Sequence, residues 1–242
     1  MLEAAFWGVA SAISLPLGAF IALRWRVRRR VLGLIMGFGA GAMISAVAFD
    51  LVQEAIEVVG TGRVAIGLAV GALTFFAGDV FIDRRGGKER KSVSGEQQEG
   101  NSKAIVLGTV LDGVPESIVI GGSLVVGGSV SVAIVAATFL SNLPESLAAS
   151  VGLVRFGMSR GRLLGMWFGI VAISGLAAGL GYALLDTASP NLAAFFQTFA
   201  AGAMLTMLAD TMMPEAYEDG GNPVGLFTVL GFVVALWLHT FD

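Results

Sequence analysis

Two carboxylates four residues apart, with a proline between them, lie inside a long apolar run: Leu111-Asp-Gly-Val-Pro-Glu-Ser-Ile-Val-Ile-Gly-Gly122. A helix puts Asp112 and Glu116 on one face. Pro115 has no amide hydrogen to give to the preceding turn, so a backbone carbonyl is freed beside them. The pattern returns as Leu140-Ser-Asn-Leu-Pro-Glu-Ser-Leu147, with Glu145 next to Pro144. Carboxylates in apolar surroundings are either protonated and hydrogen-bonded between helices, or they share a cation. Carboxylate, carbonyl and amide oxygens together, Asn142 included, are the donor set of a divalent ion.

The elements that must hold these groups are set by composition. The chain has 242 residues, 55% of them hydrophobic and only 14% charged, with a mean hydropathy of +0.81. A soluble domain is about a quarter charged. Apolar runs here reach roughly 20 residues or more, the length that crosses a bilayer. The reading is an all-α, multi-pass membrane protein of one domain, 1–242, with eight spans near 4–23, 31–58, 61–83, 104–126, 130–154, 161–186, 192–215 and 222–241. A polar segment at about 84–103, rich in Gly, Ser, Glu and Lys, is expected to be a flexible cytoplasmic loop. The absence of cysteine excludes disulfides and thiolate sites, and there is a single histidine, His239. The first apolar run has no basic segment before it, so it reads as a span rather than a cleaved leader.

Basic residues orient the spans. Arg24, Arg26, Arg28, Arg29 and Arg30 follow the first; Arg84, Arg85, Lys88, Arg90, Lys91 and Lys103 follow the third; Arg155, Arg160 and Arg162 follow the fifth. Only Arg63 falls on the other side. The three basic links are therefore expected in the cytoplasm, and both termini outside, in the cell (inner) membrane.

The chain also repeats itself. Gly39-Ala-Gly-Ala-Met-Ile-Ser-Ala-Val-Ala-Phe-Asp50 in span 2 resembles Ala200-Ala-Gly-Ala-Met-Leu-Thr-Met-Leu-Ala-Asp210 in span 7. Spans 4 and 5 share Pro-Glu-Ser. Pairing 2 with 7 and 4 with 5 joins spans that cross in opposite directions, the inverted repeat of many transporters. Glycines at four-residue spacing (Gly33/Gly37/Gly41, Gly67/Gly71, Gly161/Gly165/Gly169) are expected to let helices pack closely.

Depth joins the acids. Asp112 and Glu116 lie 9 and 13 residues past Lys103, and Glu145 lies 10 before Arg155. At about 1.5 Å per residue all three come roughly 13–20 Å in, near the middle of a hydrocarbon core of about 30 Å. One buried carboxylate there costs at least about 2.5 kcal/mol, and three would repel unless protonated or bridged by a cation. The expected ion site is Asp112, Glu116 and Glu145, assisted by Asn142. Asp50 and Glu54 in span 2, with Asp210 and Glu215 in span 7, come later along their helices and are expected to line the route. Asp79 and Asp83 beside Arg84 and Arg85 read as ion pairs at a span end. His239 reads as interfacial rather than a ligand, and Trp7, Trp25 and Trp237 as an aromatic belt.

The eight spans, the polar loop after the third and the proline–glutamate motifs in spans 4 and 5 resemble the ZIP (Zrt/Irt-like) family of divalent-metal transporters. The Ala-Gly-Ala-Met stretch leading to Asp210 and Met213-Pro-Glu-Ala216 is similar to that family's bacterial branch. The family's span 4 motif, His-Asn-x-Pro-Glu-Gly, falls on Asp112, Gly113 and Glu116, and its span 5 motif falls on Ser141, Asn142 and Glu145. Here the histidine is an aspartate and the asparagine a glycine, the loop has no histidine, and Ser174-Gly-Leu-Ala-Ala-Gly-Leu-Gly181 carries no acid. The resemblance then implies one metal position instead of two. Its oxygen-only donors favour harder ions such as Mn, Mg or Fe(II) without excluding Zn. It also implies spans 1, 4, 5 and 6 rocking against the others.

The expected function is passage of a zinc-, manganese- or iron-type ion toward the cytoplasm. The ion is the substrate, and neither an organic cofactor nor enzymatic activity is expected. The partners are membrane lipid and divalent ions, with no nucleic acid and with a homodimer as the assembly to test. The alternatives are a ZIP-like metal sensor or scaffold without transport, and an intramembrane aspartyl-type hydrolase. The hydrolase's Tyr-Asp and Gly-x-Gly-Asp signatures are missing beyond the fragment Ala77-Gly-Asp79.

Overall fold

The computed structural model describes residues 1–25, 27–82, 84, 102–126 and 129–240. The expected loop at about 84–103 lies almost wholly outside the described residues, as do Arg26, Asp83 and Arg85. All regular structure among the described residues is helical. In chain order the helices are α1 (Leu2–Arg24), α2 (Arg29–Val59), α3 (Thr61–Ile82), α4 (Ser102–Val126), α5 (Val132–Arg155), α6 (Arg160–Asp186), α7 (Pro190–Gly220) and α8 (Val224–His239). Six of them (α1, α2, α3, α5, α6 and α7) are long and apolar enough to cross a membrane, and α8 is a shorter apolar helix. Helix α4 runs 25 residues and carries the acids Asp112 and Glu116.

Local chemistry starts and stops these rods. Ser131, Ser159 and Ser189 cap α5, α6 and α7 by accepting an amide hydrogen from the first turn, and Pro190 opens α7, where its missing N–H is no loss. Gly60 (φ 77°) ends α2 and Gly221 (φ 69°) ends α7, both in the left-handed region that glycine enters without steric cost. Apolar residues surround the long helices, so burial depends on which helix each meets.

The principal pairings are α2 with α8, α3 with α7, α4 with α6, and α1 with both α5 and α6. Two of these are built alike. A Cβ on Gly41 would come within 1.8 Å of the Thr228 carbonyl oxygen, and one on Gly231 within 1.9 Å of that of Phe38. In the α3–α7 pair, a Cβ on Gly202 would lie 2.1 Å from the Leu68 oxygen and one on Gly71 1.9 Å from that of Phe199. Matching glycines thus bring two backbones into contact in each pair. Helices α2 and α7 share a further feature, a widened π-helical turn at Val47–Gln53 and at Leu208–Met212. The sequence likeness between the two stretches therefore extends to their local structure.

The central core joins Met43, Val47 and Leu51 of α2 to Ile120 of α4, Ile134 and Ala137 of α5, and Met204 and Leu208 of α7. A second core joins α1, α5 and α6 around the fully buried Trp167, whose Nε1 donates to Ser150 Oγ at 2.9 Å.

The glycine expectation is corrected at one of its three sites. Gly33, Gly37, Gly41, Gly67 and Gly71 do lie at close helix contacts, but a Cβ on Gly161, Gly165 or Gly169 would meet nothing within 4 Å. That stripe is exposed, because the first half of α6 buries Leu163, Trp167 and Ile170 and turns these three glycines away from the bundle. Trp25 and Trp237 are exposed near helix ends, as a belt requires, whereas Trp7 is half-buried against the central core.

Candidate carboxylate site

Helices α4 and α5 carry the predicted ligands inward. Asp112 is 3% exposed, Glu116 2% and Glu145 8%. Asn142 and Ser141 are buried as well. The turn-to-turn spacing that places Asp112 and Glu116 on one helical face is therefore matched by burial of that face.

The two Pro-Glu-Ser motifs share one device. Ser117 Oγ donates to the Gly113 carbonyl at 2.7 Å, and Ser146 Oγ donates to that of Leu143 at 3.0 Å. Each serine thus returns a hydrogen bond to the backbone near a proline that cannot supply one. Ser141 likewise donates to the Thr138 carbonyl at 3.0 Å, leaving its oxygen lone pairs as what it can offer an ion. The carbonyl that Pro144 frees belongs to Leu140 and lies against α2, 3.2 Å from where a Cβ on Gly39 would sit. At Gly113, by contrast, a Cβ would meet nothing within 4 Å. A larger polar side chain would have room beside Asp112; the sequence does not supply one.

Two further polar groups emerge that sequence reading passed over. Ser45 on α2 and Thr138 on α5 are buried, and their hydroxyl oxygens have no hydrogen-bond partner among the described residues. Their signal in the sequence was weak, since isolated hydroxyls in apolar helices commonly bond back to the helix itself.

The route residues divide. Asp50 is buried; its Oδ2 accepts from Ser131 Oγ at 3.2 Å and its Oδ1 pairs with His239 Nδ1. His239, expected at the interface, is half-buried in that pair and stands 5.9 Å from the Phe49 ring. Glu54 is half-buried and bonds to Gln197. Asp210 is exposed and Glu215 half-buried. Asp79 is buried and Arg84 exposed; their expected companions Asp83 and Arg85 lie outside the described residues.

Among the described residues, no group of three or more His, Asp and Glu side chains is gathered closely enough to hold a metal ion. Asp112, Glu116 and Glu145 are thus buried on two helices without being gathered as a set in this conformation. No protein-family model matches this sequence, and no curated protein matches it.

Proposed function

We propose that this protein is a multi-pass transporter of a divalent metal ion, with Asp112, Glu116 and Glu145 as the carboxylates that bind it and Asn142 as a neutral oxygen donor. One observation carries the reading: three carboxylates buried in the interior of helices that belong to an apolar, membrane-type bundle. Burial at that depth is expensive for a carboxylate and is characteristic of ion pathways. A divalent cation offsets both the desolvation and the mutual repulsion.

In this reading all eight helices cross the membrane, both termini face outward, and the two halves form an inverted repeat in the cell membrane. The matched glycine contacts and paired π-helical turns of α2 and α7 support the repeat. The packing of α1 with α5 and α6, and of α4 with α6, supports these four as one group that rocks against α2, α3, α7 and α8. Oxygen donors favour harder ions such as Mn or Fe(II), with Zn also accepted. Binding then requires the carboxylates to swing together around the ion.

Uptake of radiotracer metal into proteoliposomes tests this. Wild type should accumulate metal and Glu116→Ala should not; equal uptake by the two sinks the proposal. Metal-dependent stabilisation of the wild type with no flux would instead mark a ZIP-like metal-binding scaffold without transport.

A further inference from the structure

The only histidine of the chain completes a polar relay at the end of the bundle where α8 stops. Asp50 sits on the π-helical turn of α2 and is 4% exposed. One of its oxygens pairs with His239 of α8, and the other accepts from Ser131 Oγ. Ser131 is the cap of α5, accepting from Ile134 N at 3.1 Å, and its own N–H donates to Ser123 Oγ of α4 at 3.4 Å. Ser123 in turn donates to the Ile120 carbonyl at 2.9 Å. A single carboxylate therefore ties α8 and α2 to the hairpin formed by α4 and α5.

The structural repeat supplies an internal comparison. Asp210 occupies the matching π-helical turn of α7, toward the opposite end of the bundle, and it is exposed. Gly231 and Gly71 hold matching places, and eight residues beyond each come His239 and Asp79. For Asp50 and Asp210 the match is of the turn and not of the residue: with Gly41 aligned on Gly202, Asp50 falls on Thr211 and Asp210 on Phe49. The acid in the turn is buried beside His239 at one end and exposed at the other, where Asp79 is the buried acid.

We propose that Asp50, held by His239 and Ser131, is the latch that keeps the His239 end of the α4–α5 hairpin shut against α2 and α8. Its use rests on the transporter reading above, in which α4 and α5 belong to the moving group; its geometry does not. Releasing either arm loosens that end alone.

The chain has no cysteine, so single introduced thiols report without background. Ala137 of α5 lies in the core shared with α2, and Ala19 of α1 lies in the separate core with α5 and α6; both are fully buried. Maleimide labelling of Ala137→Cys and Ala19→Cys is compared in purified, lipid-embedded protein, with and without Asp50→Asn or His239→Ala. Loss of a hydrogen bond to a charged group should speed labelling of Ala137→Cys by about tenfold or more, with labelling of Ala19→Cys unchanged. An unchanged Ala137→Cys rate in both latch variants, or an equal rise for Ala19→Cys, overturns the latch; the equal rise would mean general loosening. Labelling involves no metal, so this result and the uptake result can fail separately. Metal uptake with no change in Ala137→Cys labelling rejects only the latch, and a selective Ala137→Cys response without uptake rejects only transport.

Discussion

Gly41 of α2 meets Thr228 of α8 so closely that a Cβ on the glycine would stand 1.8 Å from the threonine's carbonyl oxygen. Backbone cannot yield as a flexible side chain can, so the two helices must separate if that atom is added. Gly41→Ala should therefore destabilise by about 1–3 kcal/mol, the usual cost of overpacking. A matched loss is expected for Gly202→Ala at the Leu68 carbonyl of α3. Thermal melts of the purified variants in one detergent check both.

The opposite outcome is expected at Gly165. Nothing lies within 4 Å of an added Cβ, and the position is exposed. Gly165→Ala removes a helix-weakening residue and should stabilise by up to about 1 kcal/mol. The same melts read it. A large loss would mean that a second copy of the chain covers this stripe.

Trp167 is fully buried and donates to Ser150. Trp167→Phe keeps most of the apolar volume and orphans the serine's acceptor, at a cost of about 1 kcal/mol. Trp167→Ala opens a cavity, at about 3–5 kcal/mol. A reversed order of the two variants in chemical or thermal unfolding would contradict this account of the α5–α6 contact.

Metal binding provides the fourth test. A thermal-shift panel with Mn, Zn, Fe, Mg, Co and Cd should show stabilisation of wild type by at least one ion. Glu145→Gln should weaken that ion's apparent affinity by more than the roughly 10–100-fold typical of outer-shell partners. Unaltered affinity in Glu145→Gln removes Glu145 from the ligand set.

A large part of this arrangement was legible in the sequence. Asp112, Glu116 and Glu145 stood out because acids are rare in apolar runs, and all three are buried. The resemblance between the stretches ending at Asp50 and Asp210 pointed to paired structures, and both stretches carry a π-helical turn. What stayed hidden was partnership across the chain. Asp50 and His239 are 189 positions apart, and neither carries a local signal for the other. Gly33/Gly37/Gly41 and Gly161/Gly165/Gly169 have the same spacing, yet only the first faces another helix. Spacing reveals which residues share a helical face, whereas in a helix that is apolar all round the direction of that face is decided by neighbours. For the same reason the depth expected for the carboxylates did not reveal that they are ungathered in this conformation.

The crossed pairing of α2 with α8 and α3 with α7 has a consequence for how the molecule is made. The glycine faces of α2 and α3 are made before the surfaces that cover them, which belong to α8 and α7. Neither α2 nor α3 can finish its packing until that later partner has emerged. His239 lies in the last turn of α8, so its contact with Asp50 marks the point at which the α2–α8 pair has closed along its length.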